Sequence, residues 1–204
     1  FWLSLPVGHW TATGATLLSH LWLFPLMALC MGLLGSLLVA PLFVARGFGV
    51  AALLDLPWGH VALLFAVGAL RQIVGLMVAM CWAAPVLLLT MAASAWLKRW
   101  GLPVVVAVLG PGSALLKQAY DLPQLQDLLA ALWERFTQAL VPGLSGATNL
   151  HGDMVVKGDL EQLPSWLMAD LGHVLAQLAS PLFVGAVVFS VGCVWLMVLR
   201  RQRG

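Results

Sequence analysis

The few charges of this chain are placed so that three long stretches carry none. No Asp, Glu, Lys or Arg occurs before Arg46, between Arg71 and Lys98, or between Asp170 and Arg200. A helix crosses a hydrocarbon core of about 30 Å with roughly 20 apolar residues, and each gap is long enough for that. In lipid the backbone polar groups must be satisfied within the segment, so a run of this kind is read as a helix. Hydrophobic residues make up 62% of the 204 and charged ones 9%, against about 25% charge in a soluble domain. The expected fold class is therefore all-α, a polytopic membrane helix bundle. The net charge of +2 and the lack of Lys/Arg-rich runs away from helix ends exclude an electrostatic case for a nucleic-acid partner.

Four spans and an outside cap describe the organisation. Residues 1–16 form a segment ahead of the first span. Within 17–116 the reading is a first span from Leu17 to Ala45, an interfacial turn at Arg46–Trp58 and a helix from Gly59 to Leu70. That helix belongs to an interfacial or re-entrant segment near 47–74. A full span from Gly75 to Leu97 and a short third span from Leu102 to Leu116, interrupted by Gly110-Pro111-Gly112, complete this part. Residues 117–179 collect every acidic residue except Asp55. There Leu125, Leu128, Leu129, Leu132, Phe136 and Leu140 recur at helical spacing, which predicts an amphipathic helix. A Gly/Ser/Asn loop follows, and a second amphipathic stretch from Leu160 leads to the last span, Pro181–Leu199, within 180–204. The three cysteines, Cys30, Cys81 and Cys193, lie in apolar runs and read as small buried hydrophobes.

The ends of the spans orient the bundle. Trp96, Lys98, Arg99 and Trp100 combine aromatic and basic residues in the manner of a membrane-interface anchor, and Arg200 and Arg201 close the last helix. The positive-inside tendency puts both ends in the cytoplasm. Residues 1–16 then face the cytosol, and 117–179 form an extracytoplasmic helical subdomain. Localisation in a bacterial plasma membrane as a multi-pass protein follows from the family resemblance below.

Two stretches carry that resemblance. "FWLSLPVGHWTATGATLL" resembles the cytoplasmic segment of the permease subunits of bacterial type-2, export-associated ABC transporters, and "CWAAPVLLLTMAASAWLKRWGLPVV" resembles a later span of the same proteins. The match is firmest at Phe1–Val7 and Trp82–Arg99. Such permeases usually have six spans, so two N-terminal spans are expected to be missing from this chain. The family tends to have polar or charged residues where Gly8, His9, Trp10 and Thr16 stand here. The resemblance implies an ATP-driven exporter in which a separate cytoplasmic ABC ATPase subunit holds ATP and Mg, with no cofactor on this chain. A second permease subunit, as a homo- or heterodimer, completes the translocation path within the lipid bilayer. Leu5, Pro6, Val7, His9 and Trp10 are then the candidate ATPase-coupling contacts.

The residues themselves agree that this chain does not hydrolyse nucleotide, for no G-x-x-x-x-G-K-[ST] phosphate cradle occurs. Arg71, Gln72 and Lys117 are candidates for a translocation path or gate, because an ionisable residue at membrane depth is costly and points to function. For Arg71 the favoured reading is a helix break between Gly68 and Gly75 near the outer surface, with the side chain snorkelling to water. No metal site is expected: His151, Asp153 and His173 show neither HExxH nor CxxC spacing. An accessory or pore-forming membrane protein without ATP coupling is the alternative. A membrane-embedded hydrolase is the weaker one, drawn from Ser145 or Ser165 with His173 and Asp170, or from His151, Asp153 and His173.

Overall fold

The computed structural model describes residues 9–141 and 163–203. Every regular element among them is helical. Helix α1 (His9–Leu18) passes through a π-turn at Ser19–Leu23 into α2 (Phe24–Phe48), and the short α3 (Val50–Leu54) follows. Helix α4 (Trp58–Leu97) leads by a 3₁₀ turn, Lys98–Trp100, into α5 (Gly101–Ala107), a π-turn at Val108–Gly112 and α6 (Ser113–Tyr120). Then come α7 (Gln124–Leu140), α8 (Leu163–Ala176), a 3₁₀ turn at Gln177–Ala179, and α9 (Pro181–Arg203). The segments Gly14–Phe48, Trp58–Tyr120 and Pro181–Arg200 are long and apolar enough to cross a membrane.

The prolines explain the two π-turns. A proline cannot donate the i→i−4 bond, and a widened turn beside it takes up the missing hydrogen bond. Pro25 stands two residues after the first π-turn and Pro111 lies inside the second. There Ser113 Oγ donates to the carbonyls of Leu109 (2.6 Å) and Gly110 (2.8 Å), so side-chain chemistry finishes what the backbone leaves open. The Gly110-Pro111-Gly112 interruption is thus a local widening, and the helical path continues to Tyr120.

Helix α4 is the mast of the fold. At 1.5 Å per residue its 40 residues extend about 60 Å, twice a hydrocarbon core. The break expected between Gly68 and Gly75 is absent, and no re-entrant turn divides Trp58–Leu97. Isolated glycines do not end a helix whose other face is packed. At the far end the chain reverses through Lys98 (φ 53°, ψ −122°), and α5 returns along α4. Gly101 makes that return possible, because a β-carbon there would overlap the backbone of Ser94.

Helix α9 runs parallel to α4. Trp82 meets Phe183 edge to face at 5.5 Å, Leu88 and Ala92 pack with Cys193 and Met197, and the Arg200 guanidinium lies 5.8 Å from the Trp96 ring. The two basic helix ends therefore share one end of the molecule, as the sequence pattern requires. Helices α1 and α2 climb α4 in the opposite sense: Leu17 packs on the Leu88–Met197 cluster, while Leu18, Trp22 and Leu26 face Leu76, Met77 and Met80 across an apolar crevice. Beyond that contact none of the 25 residues of α2 is buried. Cys30 is accordingly exposed, not a core residue, whereas Cys193 is buried.

The expected amphipathic helix is present as α7. Its Leu132 and Ala139, with Phe136, pack on Val78, Ala79 and Trp82 of α4, and Val174 of α8 closes the same cluster. Leading into it, Asp121 adopts a left-handed conformation (φ 52°, ψ 37°) at the end of α6. Glycine occupies that region without the steric cost an L side chain bears. Asp121→Gly is expected to raise stability by about 0.5–1 kcal/mol, read as a higher unfolding midpoint in detergent.

Candidate functional site

Arg71 lies about a third of the way along α4 and is 1% exposed; Asp170, in the middle of α8, is 2% exposed. Arg71 Nε donates to Asp170 Oδ2 at 2.6 Å. Its Nη1 donates to the Ala139 carbonyl at 2.8 Å and its Nη2 to the Gln138 carbonyl at 3.3 Å. Both carbonyls stand in the last turn of α7, where a helix has no amide of its own to offer them. A cation there also meets the negative end of the helix dipole. One side chain thus ties three helices: it neutralises a carboxylate on α8 and caps the C-terminus of α7.

The local sequence makes room for this. Gly75 lies one turn after Arg71 on the same face, and a β-carbon there would overlap the guanidinium and the Ala139 carbonyl oxygen. Ala139 is itself fully buried. The small pair Gly75 and Ala139 lets α7 approach close enough for its carbonyls to reach the arginine. A second polar layer extends the junction, in which Gln177 Nε2 donates to Gln138 Oε1 and Gln138 Nε2 donates to Glu134 Oε1, both at 2.9 Å. On the side toward the basic end the junction rests on the apolar cluster of Val78, Ala79, Trp82 and Val174.

Burying two charges is expensive, and their attraction offsets that cost only where the remaining donors and acceptors are also satisfied. Here three guanidinium N–H groups have acceptors. The group's chemistry is positional. It offers no nucleophile, and its carboxylate is engaged by a cation. Among the described residues no cluster of His, Cys, Asp and Glu has the make-up of a metal site.

The sequence-predicted residues distribute as follows. Leu5, Pro6 and Val7 lie outside the described residues, as do Ser145, His151 and Asp153, while His9 and Trp10 open α1. Arg71 does not snorkel, which corrects the expectation: the continuous helix buries it against α7 and α8. Gln72 is half-buried beside it, and Lys117 is exposed on α6 with no bond to the Arg71 group. Trp96, Lys98, Arg99 and Trp100 are exposed together at the basic end, with Arg99 6.0 Å from the Trp100 ring and Arg200 over Trp96. Arg201 continues α9 there. In the hydrolase sketch Asp170 belongs to Arg71, and His173 is exposed.

Asp170 as the partner of Arg71, and Gln138 and Gln177 behind it, are what sequence reasoning missed. A signal for the first exists: Asp170 is the last acid before the charge-free run of the final helix, and Arg71 opens the charge-free run of α4. No family model, curated protein or solved structure matches the chain.

Proposed function

We propose that the chain is a multi-pass membrane transport subunit, and within that class the permease subunit of an ATP-driven ABC exporter that draws its energy from a separate cytoplasmic ATPase. The observation that carries the reading is the gathering of three features at one end of the molecule. Helix α1 packs beside the end of α9, and Thr16 shares a crevice with Ser94, Leu102 and Met197. The Lys98–Arg99 turn and Arg200 lie at that same end. By the positive-inside tendency this is the cytoplasmic face, so α1, which His9 and Trp10 open and which Leu5, Pro6 and Val7 precede in the sequence, adjoins the face a cytoplasmic ATPase approaches. Rigid packing of α1 on α4 and α9 supplies the means to pass a movement at that face into the spans.

In this reading α1–α2, α4, α5–α6 and α9 are four crossings, and α7 and α8, which pack on Val78, Ala79 and Trp82 between Arg71 and Trp96, enter the bundle from the outer side instead of standing outside it as a cap. With the Trp96–Arg99 boundary as one membrane surface, Arg71 stands about 40 Å away along α4, at the opposite headgroup level. The ion pair then secures α8 and the C-terminal end of α7 to α4 where the bilayer ends. A second subunit of the same kind completes the path.

Purification of the complex from native membranes tests this. An ABC ATPase is expected to co-purify, and Pro6→Ala or Trp10→Ala is expected to lower coupled turnover about tenfold, the scale of removing one anchor from an interface. The exposed Trp133→Ala on α7 leaves turnover unchanged. Isolation without any nucleotide-binding partner, with function intact in the Trp10 variant, favours the accessory or pore-forming alternative instead.

A further inference from the structure

The polar side of α7 stands at a depth where lipid has nothing to offer it. Leu125 and Leu128, at the start of α7, line one cavity with Pro85 and Leu89 of α4 and Phe189 of α9. Leu89 and Pro85 are 7 and 11 residues from Trp96, about 10 and 16 Å along the helix. Measured from the aromatic and basic boundary, α7 begins near the middle of a hydrocarbon core of about 30 Å, and its last turn lies beside Arg71. The link that leads into it, Asp121–Pro123, is not helical. Pro123 is two residues from Leu125, at most about 7 Å away, so the end of that link is inside the core as well.

The apolar stripe of α7 packs on α4, while Gln126, Asp127, Ala130 and Glu134 lie exposed on its other side. Among the described residues neither Asp127 nor Glu134 has a basic partner. Non-helical backbone and carboxylates at this depth face protein or water, not acyl chains. Water satisfies this face better than a second copy does. Two carboxylates covered by protein without cations would each carry a desolvation cost, and a two-fold partner would set the acidic face against its own image.

We propose that this side of α7 is one wall of a water-filled cleft that enters the membrane from the outer side and draws small hydrophilic cations in preference to anions. The wall is continuous, because Gln126, Ala130 and Glu134 follow one another along the helix toward the end that Arg71 caps. Asp127 and Glu134 are its charges, and a low-dielectric wall bearing one sign of charge focuses the field and concentrates counter-ions. The inference rests on the bilayer placement and orientation given above and is independent of ATP coupling.

The test places single cysteines in the full chain, in a Cys30→Ala/Cys81→Ala/Cys193→Ala background, and labels them in intact cells and again after osmotic lysis. The probes are two impermeant methanethiosulfonates, one ending in trimethylammonium and the other in sulfonate. Ala130→Cys and Gln126→Cys on the wall are expected to react in intact cells, as Asp55→Cys in the exposed turn before α4 does, and Arg99→Cys only after lysis. Val188→Cys, 67% exposed on α9 and next to Phe189, sits at the same depth and is expected to stay unmodified in both conditions. Gln126→Cys stands in should Ala130→Cys not reach the membrane. At Ala130→Cys the cationic probe is expected to outpace the anionic one about tenfold more than it does on a free thiol. Asp127→Asn/Glu134→Gln removes that preference. Wall cysteines that stay unmodified while Asp55→Cys reacts overturn the proposal and mean that protein covers the face. So does a probe preference that the double substitution leaves unchanged. Exchanged behaviour of Asp55→Cys and Arg99→Cys, or a Val188→Cys as reactive as the wall, shows instead that the placement is wrong, and the proposal falls with it.

Discussion

Arg71→Ala is expected to lower the stability of the helix bundle by about 3–5 kcal/mol, among the largest effects a single substitution in this chain can have. The cost does not equal the strength of the pair. It arises because Asp170, 2% exposed, loses the cation that faces its buried charge, and because the Ala139 and Gln138 carbonyls lose their cap. Asp170→Asn is expected to fall in the same range, for it leaves the guanidinium charge in place and unpaired. The double variant Arg71→Met/Asp170→Leu is expected to recover most of the loss, since an apolar pair of similar size carries no desolvation cost. The two α7 carbonyls lose their donor in that variant, at about 1–3 kcal/mol. The exchanged pair Arg71→Asp/Asp170→Arg is not expected to rescue, because a carboxylate on α4 would face the carbonyl end of α7, where only a cation is favourable. Equilibrium unfolding of the parent, Arg71→Met, Asp170→Leu and the double variant Arg71→Met/Asp170→Leu in one detergent closes the cycle that gives the coupling energy. A single Arg71→Ala that costs under about 1 kcal/mol would show that the side chain reaches water in the membrane-bound protein, as surface ion pairs do.

The sequence makes the outer frame of this fold legible and leaves its central junction hidden. Charge-free runs and their Trp and Lys/Arg borders mark helix ends because lipid imposes a length and an interface on every crossing. The pairing of Trp96 with Arg200 at one end of parallel helices follows that pattern. The spacing of Leu125, Leu129, Leu132 and Phe136 likewise identifies α7, since one apolar stripe has to meet another. The Arg71–Asp170 bond joins residues 99 positions apart and leaves no periodic trace. Read alone, Arg71 between two glycines looks like a break with a snorkelling cation. Gly75, however, is small for the sake of α7, a requirement visible only once α7 is beside it. Gln138 is equally opaque: it reads as the polar face of an amphipathic helix, yet its carbonyl and its amide both belong to the junction.

Gly75→Ala is expected to destabilise by about 2–4 kcal/mol, although the same change at most exposed helical glycines stabilises. Alanine is the better helix former by about 1 kcal/mol, so propensity alone predicts a gain. Against that gain stands the added β-carbon, which would overlap both the Arg71 guanidinium and the Ala139 carbonyl oxygen. The first is the end of a long side chain but is held by three acceptors; the second is backbone and moves only if α7 moves. Overpacking of this kind costs about 1–3 kcal/mol, and displacing α7 also loses the charged hydrogen bond to Ala139, worth about 1.5–3 kcal/mol. Gly68→Ala, two turns earlier on the same helix, is the matched control, because a β-carbon there meets nothing within 4 Å. It is expected to raise the unfolding midpoint, so two glycines of one helix respond with opposite sign. The combination Gly75→Ala/Arg71→Met carries the argument one step further. Removing the guanidinium eliminates one of the two overlaps, so part of the Gly75→Ala penalty vanishes in the Arg71→Met background. The share that stays measures the contact with the α7 backbone. Equal penalties in both backgrounds would mean that the Ala139 carbonyl alone sets the spacing of α4 and α7, and that the arginine fits into a gap the glycine has already made.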